Sequence, residues 1–154
     1  MKTSFKVLLL ALLSTLPVVV RAEDYTYITN NGTITITGYT GTNAVVTIPG
    51  TITGLLVTSI GNKAFGSCTN LTNATIPNSI TSIGQDAFCY CWGLHSVTIP
   101  ASVTSIGDHA FYDCTSLTNL TIPTSVTSIG EHAFSFCARL TSVTIPNSVT
   151  NIVW

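Results

Sequence analysis

Between residues 60 and 151 the apolar and polar positions follow a pattern that returns every 23 residues. In rows the chain reads IGNKAFGSCTNLTNATIPNSITS (60–82), IGQDAFCYCWGLHSVTIPASVTS (83–105), IGDHAFYDCTSLTNLTIPTSVTS (106–128) and IGEHAFSFCARLTSVTIPNSVTN (129–151). The shared frame is IGxxAFxxCxxLxxxTIPxS(V/I)T, without a gap over four rows. A fixed period of about 20 to 30 residues marks a repeat solenoid, in which each repeat is one coil that buries its apolar positions against its neighbours.

Each row predicts the same elements. The stretch L-x-x-(A/V/L)-x-I, at 71–76, 94–99, 117–122 and 140–145, is rich in Thr and reads as a strand, because β-branched residues suit a pleated backbone. Pro77, Pro100, Pro123 and Pro146 follow at once and end the pairing, since proline has no N–H to give. Gly61, Gly84, Gly107 and Gly130 mark a turn. The Ala-Phe pair after it opens a compact segment, read as a helical turn with Phe pointing inward. Columns of like residues then stack through the core: Leu71/Leu94/Leu117/Leu140, Ile76/Ile99/Ile122/Ile145 and Phe65/Phe88/Phe111/Phe134.

The two ends depart from the frame. YTYITNNGTITITGY (25–39) alternates polar and apolar residues around Asn31-Gly32, a strong hairpin signal. An end coil exposes apolar core, so 23–44 is expected to be a hairpin cap. At the other end a fifth row starts at Ile152 and the chain stops at Trp154, which reads as a truncated end of the 45–154 solenoid, with an open end paired to a partner as the alternative.

On this frame, residues 45–152 resemble the BspA-like leucine-rich repeats of secreted and surface bacterial proteins. VVTIPGTITGLLVTSIG (45–61) is similar to that family's first coil, and places an opening coil at 45–59 ahead of the four full repeats. It is longer by five residues, because Ile48 to Ile60 is 12 where Ile76 to Ile83 is 7. The resemblance implies a right-handed leucine-rich-repeat coil with a parallel β-sheet on one face and short helical or irregular turns opposite. It also implies surface display and protein binding or adhesion, with no defined catalytic activity.

Composition sharpens the setting. Lys2 and Lys6 precede the apolar run VLLLALLSTLPVVV (7–20), and Val20 and Ala22 are small residues placed for cleavage after Ala22. This is the layout of a secretory signal peptide over 1–22. The run falls short of the about 20 residues a membrane span needs. A mature chain from 23 keeps Lys63 and Arg139 against six acids, 2 − 6 = −4. Such a surface does not attract nucleic acid or anionic membrane, which call for basic patches. The expectation is a secreted, extracellular or cell-surface chain with no membrane insertion after cleavage, and no cofactor.

Candidate chemistry concentrates in SIGDHAFYDC (105–114), which puts Asp108, His109, Asp113 and Cys114 together. The frame splits this cluster. Cys114 belongs to a column with Cys68, Cys91 and Cys137, one per coil, which suits packing better than the convergent ligands of a zinc site. Cys89 lies off the column and is the expected reactive thiol. His109 and His132 share a column with Lys63 and Asp86. That position reads as an exposed convex one, with a loose metal pair as the competing reading. No nucleophile–base pattern supports catalysis, so neither a catalytic nor a metal site is assigned.

Binding residues are expected on the sheet face. Its outward columns are Thr72/His95/Thr118/Thr141, Asn73/Ser96/Asn119/Ser142 and Thr75/Thr98/Thr121/Thr144. Trp92 and His95 break the Thr and Ser pattern, either as binding hot spots or as tolerated substitutions. A flat uncharged array suits an extracellular protein partner. A glycan or another repeating surface set against the Thr columns is the alternative. Sequons at Asn70, Asn73 and Asn119 fall out of the repeat frame.

Overall fold

Strands line two walls of the coil rather than one. The computed structural model describes residues 22–152. The leader expected at 1–22 falls outside them except for the backbone of Ala22, and so do Val153 and Trp154 of the expected truncated end. The strands are β1 (Tyr25–Asn30), β2 (Thr33–Tyr39), β3 (Val45–Thr47), β4 (Thr51–Ile52), β5 (Leu55–Ile60), β6 (Asn73–Thr75), β7 (Ser82–Ile83), β8 (Ser96–Thr98), β9 (Ser105–Ile106), β10 (Ser128–Ile129) and β11 (Asn151–Ile152).

The first wall is the parallel sheet β3-β6-β8, in which Asn73 faces Ser96 and Thr75 faces Thr98, one coil apart. It continues only as a bridge between Ser96 and Asn119. The strand expected at 117–122 thus shrinks to one residue, and that at 140–145 does not form. Burial explains the fading. Ile76, Ile99 and Ile122 are 4–6% exposed, whereas Ile145 is 40% exposed. Among the described residues the last coil has a neighbour on one side only, so less apolar area holds its backbone in place.

The second wall runs β1-β2-β5-β7-β9-β10-β11 and is parallel from β2 onward. Its strands from β7 onward are two-residue Ser-Ile or Asn-Ile pairs, too short to raise an alternation signal. The N-terminal hairpin forms the start of this sheet. Asn31 and Gly32 both have positive φ, 49° and 79°, which is what a two-residue turn between right-twisted strands requires. The extra residues of the opening coil fold into a second hairpin, β4 antiparallel to β5.

The third wall corrects the expected helical turn. Among the described residues the only helical piece is the 3-10 turn Ala22–Asp24. Lys63, Asp86, His109 and His132 have φ of 53° to 60°, and Ser67, Tyr90, Asp113 and Phe136, four residues on, have φ of 56° to 61°. A left-handed residue at every fourth position stops a right-handed helix. The N–H groups turn to the next coil instead: Phe65 donates to the carbonyl of Ala87, Phe88 to Ala110 and Phe111 to Ala133, at 2.7–2.8 Å.

The core lies between the walls. Leu71, Leu94 and Leu117 are at most 1% exposed. The phenylalanines form a stack, with ring centres 4.9 Å apart for Phe65–Phe88 and 5.7 Å for Phe111–Phe134. The hairpin prolongs it, since Tyr39 stacks on Phe65 at 5.2 Å and Tyr25 meets Phe65 edge-on at 6.3 Å. That is how the hairpin caps the solenoid.

Hydroxyls join one coil to the last. Thr81, Thr104 and Thr127 donate to the carbonyls of Thr58, Thr81 and Thr104 at 3.1–3.2 Å. Ser102, Ser125 and Ser148 donate to those of Ile80, Val103 and Val126 at 2.6–2.7 Å. The coils approach so closely that a Cβ on Gly107 would sit 2.7 Å from the Gln85 nitrogen.

Candidate functional site

Pleating decides which side chains of the first wall reach water. Ala74 and Val97 point into the core, while Asn73, Thr75, Ser96 and Thr98 are exposed. The same holds further along for His95, Thr118, Asn119, Thr121, Thr141 and Thr144, and Thr72 is half-buried. The fold therefore brings the three expected columns onto one face. Part of their polarity is already used: Thr72 donates to the Ala44 carbonyl at 2.8 Å, Ser96 to the Asn73 side chain at 3.3 Å, and Thr118 to the His95 carbonyl at 3.3 Å. The His95 Nδ1 lies 2.6 Å from the Gly93 carbonyl, which assigns the proton to that nitrogen.

Trp92 stands apart from these columns. It sits in the turn between Cys91 and Gly93, 51% exposed, and its indole N–H donates to Asp113 on the next coil at 3.0 Å. It belongs to the wall of turns, not to the strands.

The cysteine column is buried at Cys91, Cys114 and Cys137, and half-buried at Cys68. All five cysteines are free. The thiols of Cys91, Cys114 and Cys137 donate to the carbonyls of Phe65, Phe88 and Phe111 at 3.0–3.2 Å. Cysteine is thus chosen for a small volume that still carries a donor. Burial pushes the Cys91 thiol up to about 12. Cys89 is corrected as the reactive thiol: it is buried, and burial together with the nearby Asp86 pushes it up to about 11. Little thiolate exists there near neutral pH.

In SIGDHAFYDC the backbone explains the residue choice. His109 occupies a left-handed position, as do Lys63, Asp86 and His132. Asp and His are enriched at such positions among non-glycine residues. A further constellation joins His132 to its neighbour Glu131 and to Ser135 within a single turn. Ser135 Oγ is 3.3 Å from His132 Nδ1, and His132 Nε2 is 3.3 Å from a Glu131 oxygen. The His132 and Glu131 side chains are 48% and 46% exposed. Nucleophilic catalysis needs a water-excluded site, and these side chains are open to water. Among the described residues no three His, Cys, Asp or Glu side chains group to hold a metal.

The wall of turns also carries rings that sequence reasoning passed over. Tyr90 meets Tyr112 at 5.7 Å and Tyr112 meets Phe136 at 5.1 Å, while His109 lies 5.3 Å from Tyr112 and 5.4 Å from His132. They sit at variable positions of the frame. The available signal was the column Ser67/Tyr90/Asp113/Phe136, where two large rings alternate with small polar residues.

Stacked coils with a Leu column, a Phe column and a parallel sheet on the Thr-rich face define a leucine-rich-repeat solenoid. The chain belongs to the BspA type leucine-rich repeat family, whose description, "BspA type Leucine rich repeat region (6 copies)", matches residues 45–153. Among solved structures it is similar to a leucine-rich repeat protein from Bacteroides capillosus, at 36% identity over 80% of this chain and 95% of that one, with a TM-score of 0.73. It is also similar to the leucine-rich repeat protein of T. pallidum, at 28% identity over 86% and 80% of the two chains, with a TM-score of 0.71. A leucine-rich repeat protein from Bacteroides ovatus matches at 30% identity over 82% of this chain and 41% of that one, with a TM-score of 0.56. No curated protein sequence matches the chain.

Proposed function

We propose that the protein is a secreted or cell-surface binding module whose Thr-rich sheet face takes an extracellular protein partner, with no catalytic step. The observation that carries this reading is the register of the first wall. Asn73 over Ser96 and Thr75 over Thr98 repeat one outward pattern from coil to coil, and no charged side chain interrupts the columns. A flat array of this kind has little electrostatic steering and many weak donors and acceptors, which fits a broad contact rather than a small pocket. Thr72, Thr75, His95, Thr98, Thr118, Asn119, Thr121, Thr141 and Thr144 form the contact, and Trp92 borders it from the adjoining turn. The leader-like pattern of residues 1–22 supports export, and the BspA type family supports protein interaction.

The test is surface plasmon resonance of the purified chain against a panel of purified extracellular proteins. The triple substitution Thr75→Lys, Thr98→Lys and Thr121→Lys places three like charges on the array and should abolish binding to any partner found. A partner that binds the triple variant as well as the parent sinks the reading.

A further inference from the structure

The wall of turns has a groove that the sheet face does not use. A cavity of about 480 Å³ opens there, with Lys63, Asp86, Cys89, Tyr90, His109 and Tyr112 in its lining. Small-molecule sites run from roughly 300 to 1,000 Å³.

Backbone conformation argues that its rings are kept for use. Tyr90, in the lining, has φ of 59°, where a bulky residue is a steric outlier. Ser67 and Asp113 fill the same column with smaller side chains. Burial gives little return for the strain, since Tyr90 is 44% exposed. Strained residues that the core does not reward concentrate at functional sites.

The lining chemistry selects a ligand class. Lys63 and Asp86 put one cation and one anion in the lining of the same groove, so the lining does not select a ligand by net charge. Lys63 donates hydrogen bonds, the Asp86 carboxylate accepts them, and His109 and the tyrosine hydroxyls can do both. A ligand with an apolar C–H face for the rings and an edge of hydroxyls that donate and accept is a sugar. A proline-rich peptide would use the rings but offers few donors for the carboxylate. We propose that this groove binds a neutral saccharide, packed against Tyr90 and Tyr112 and held through its hydroxyls by Lys63, Asp86 and His109.

The probes are chitotetraose, cellotetraose, maltotetraose and mannotetraose, with a proline-rich decapeptide alongside, each titrated into the purified chain by calorimetry. At least one tetrasaccharide should bind with a Kd below about 1 mM. Asparagine tolerates the left-handed backbone, so Tyr90→Asn should fold at least as well as the parent while weakening that binding by about tenfold. Tyr112→Leu should weaken it similarly. Thr98→Lys, on the sheet face, should leave it unchanged, which separates this site from the protein-binding reading. The proposal is overturned if no tetrasaccharide binds at about 10 mM, if Tyr90→Asn binds as tightly as the parent, or if only the peptide binds.

Discussion

The rings of Phe88 and Phe111 lie 5.2 Å apart with only 3° between their planes. Parallel planes at that separation are offset, the favourable arrangement for stacked aromatics. The pair sits mid-column, and both rings are fully buried. Phe134, one coil on, is only half-buried. Phe111→Ala should therefore cost about 3–5 kcal/mol and Phe134→Ala well under half of that. Urea unfolding of both variants checks this, and equal losses would contradict it.

The left-handed positions predict a gain from deleting a ring. Phe136→Gly removes steric strain of roughly 1–2 kcal/mol and restores part of it as backbone entropy. With the ring 67% exposed, little burial is lost. The variant should be more stable by about 0.5–1 kcal/mol, or a few degrees in Tm. Phe136→Val, β-branched at the same φ, should be less stable than the parent. Thermal unfolding of the pair decides it.

Thiol labelling should follow burial rather than sequence position. Cys68 is the one half-buried cysteine; the other four are buried. A thiol-specific reagent at about pH 8 should modify Cys68 first and the others only on unfolding. Peptide mapping after partial labelling identifies the site, and early modification of Cys89 would refute the order.

Alkali should destabilise the fold through its buried acids. Cys91 titrates at 9.0 when free and is pushed up to about 12 by burial in the folded chain. Between those values the native state holds a proton that the unfolded state has released, so stability falls as pH rises. The contribution is fully present below about pH 9 and is lost as pH rises through about 12. Each such group adds a slope of up to about 1.4 kcal/mol per pH unit. Tyr25, raised by burial and by Tyr39, acts in the same direction. Cys91→Ala should flatten the loss, measured by urea unfolding at stepped pH.

The sequence made the coil, its core columns and its outward Thr columns legible, because each repeats at a spacing that burial enforces. Phe65, Leu71 and Ile76 could be placed inward from the frame alone. The Ser-Ile strands could not, since a two-residue strand such as Ser82–Ile83 has no period. Nor could the wall of turns. Positive φ at Lys63 and Tyr90 leaves no apolar rhythm, and a compact Ala-Phe segment resembles a helix start until its N–H groups are traced to the next coil. The position of Trp92 depended on the same turns, which carry it away from the strands and toward Asp113.

Every hydroxyl that ties Thr104, Thr127, Ser125 or Ser148 to its acceptor reaches back by 22 or 23 residues. The contacts of a coil are thus addressed by phase and not by absolute position. Copying or excising one whole unit of the gene would leave each donor opposite an acceptor, whereas inserting a single residue would put a full turn of the spiral out of step. Among the four full repeats length changes cleanly in whole steps, so the reach of the coil can be adjusted without redesigning its interior.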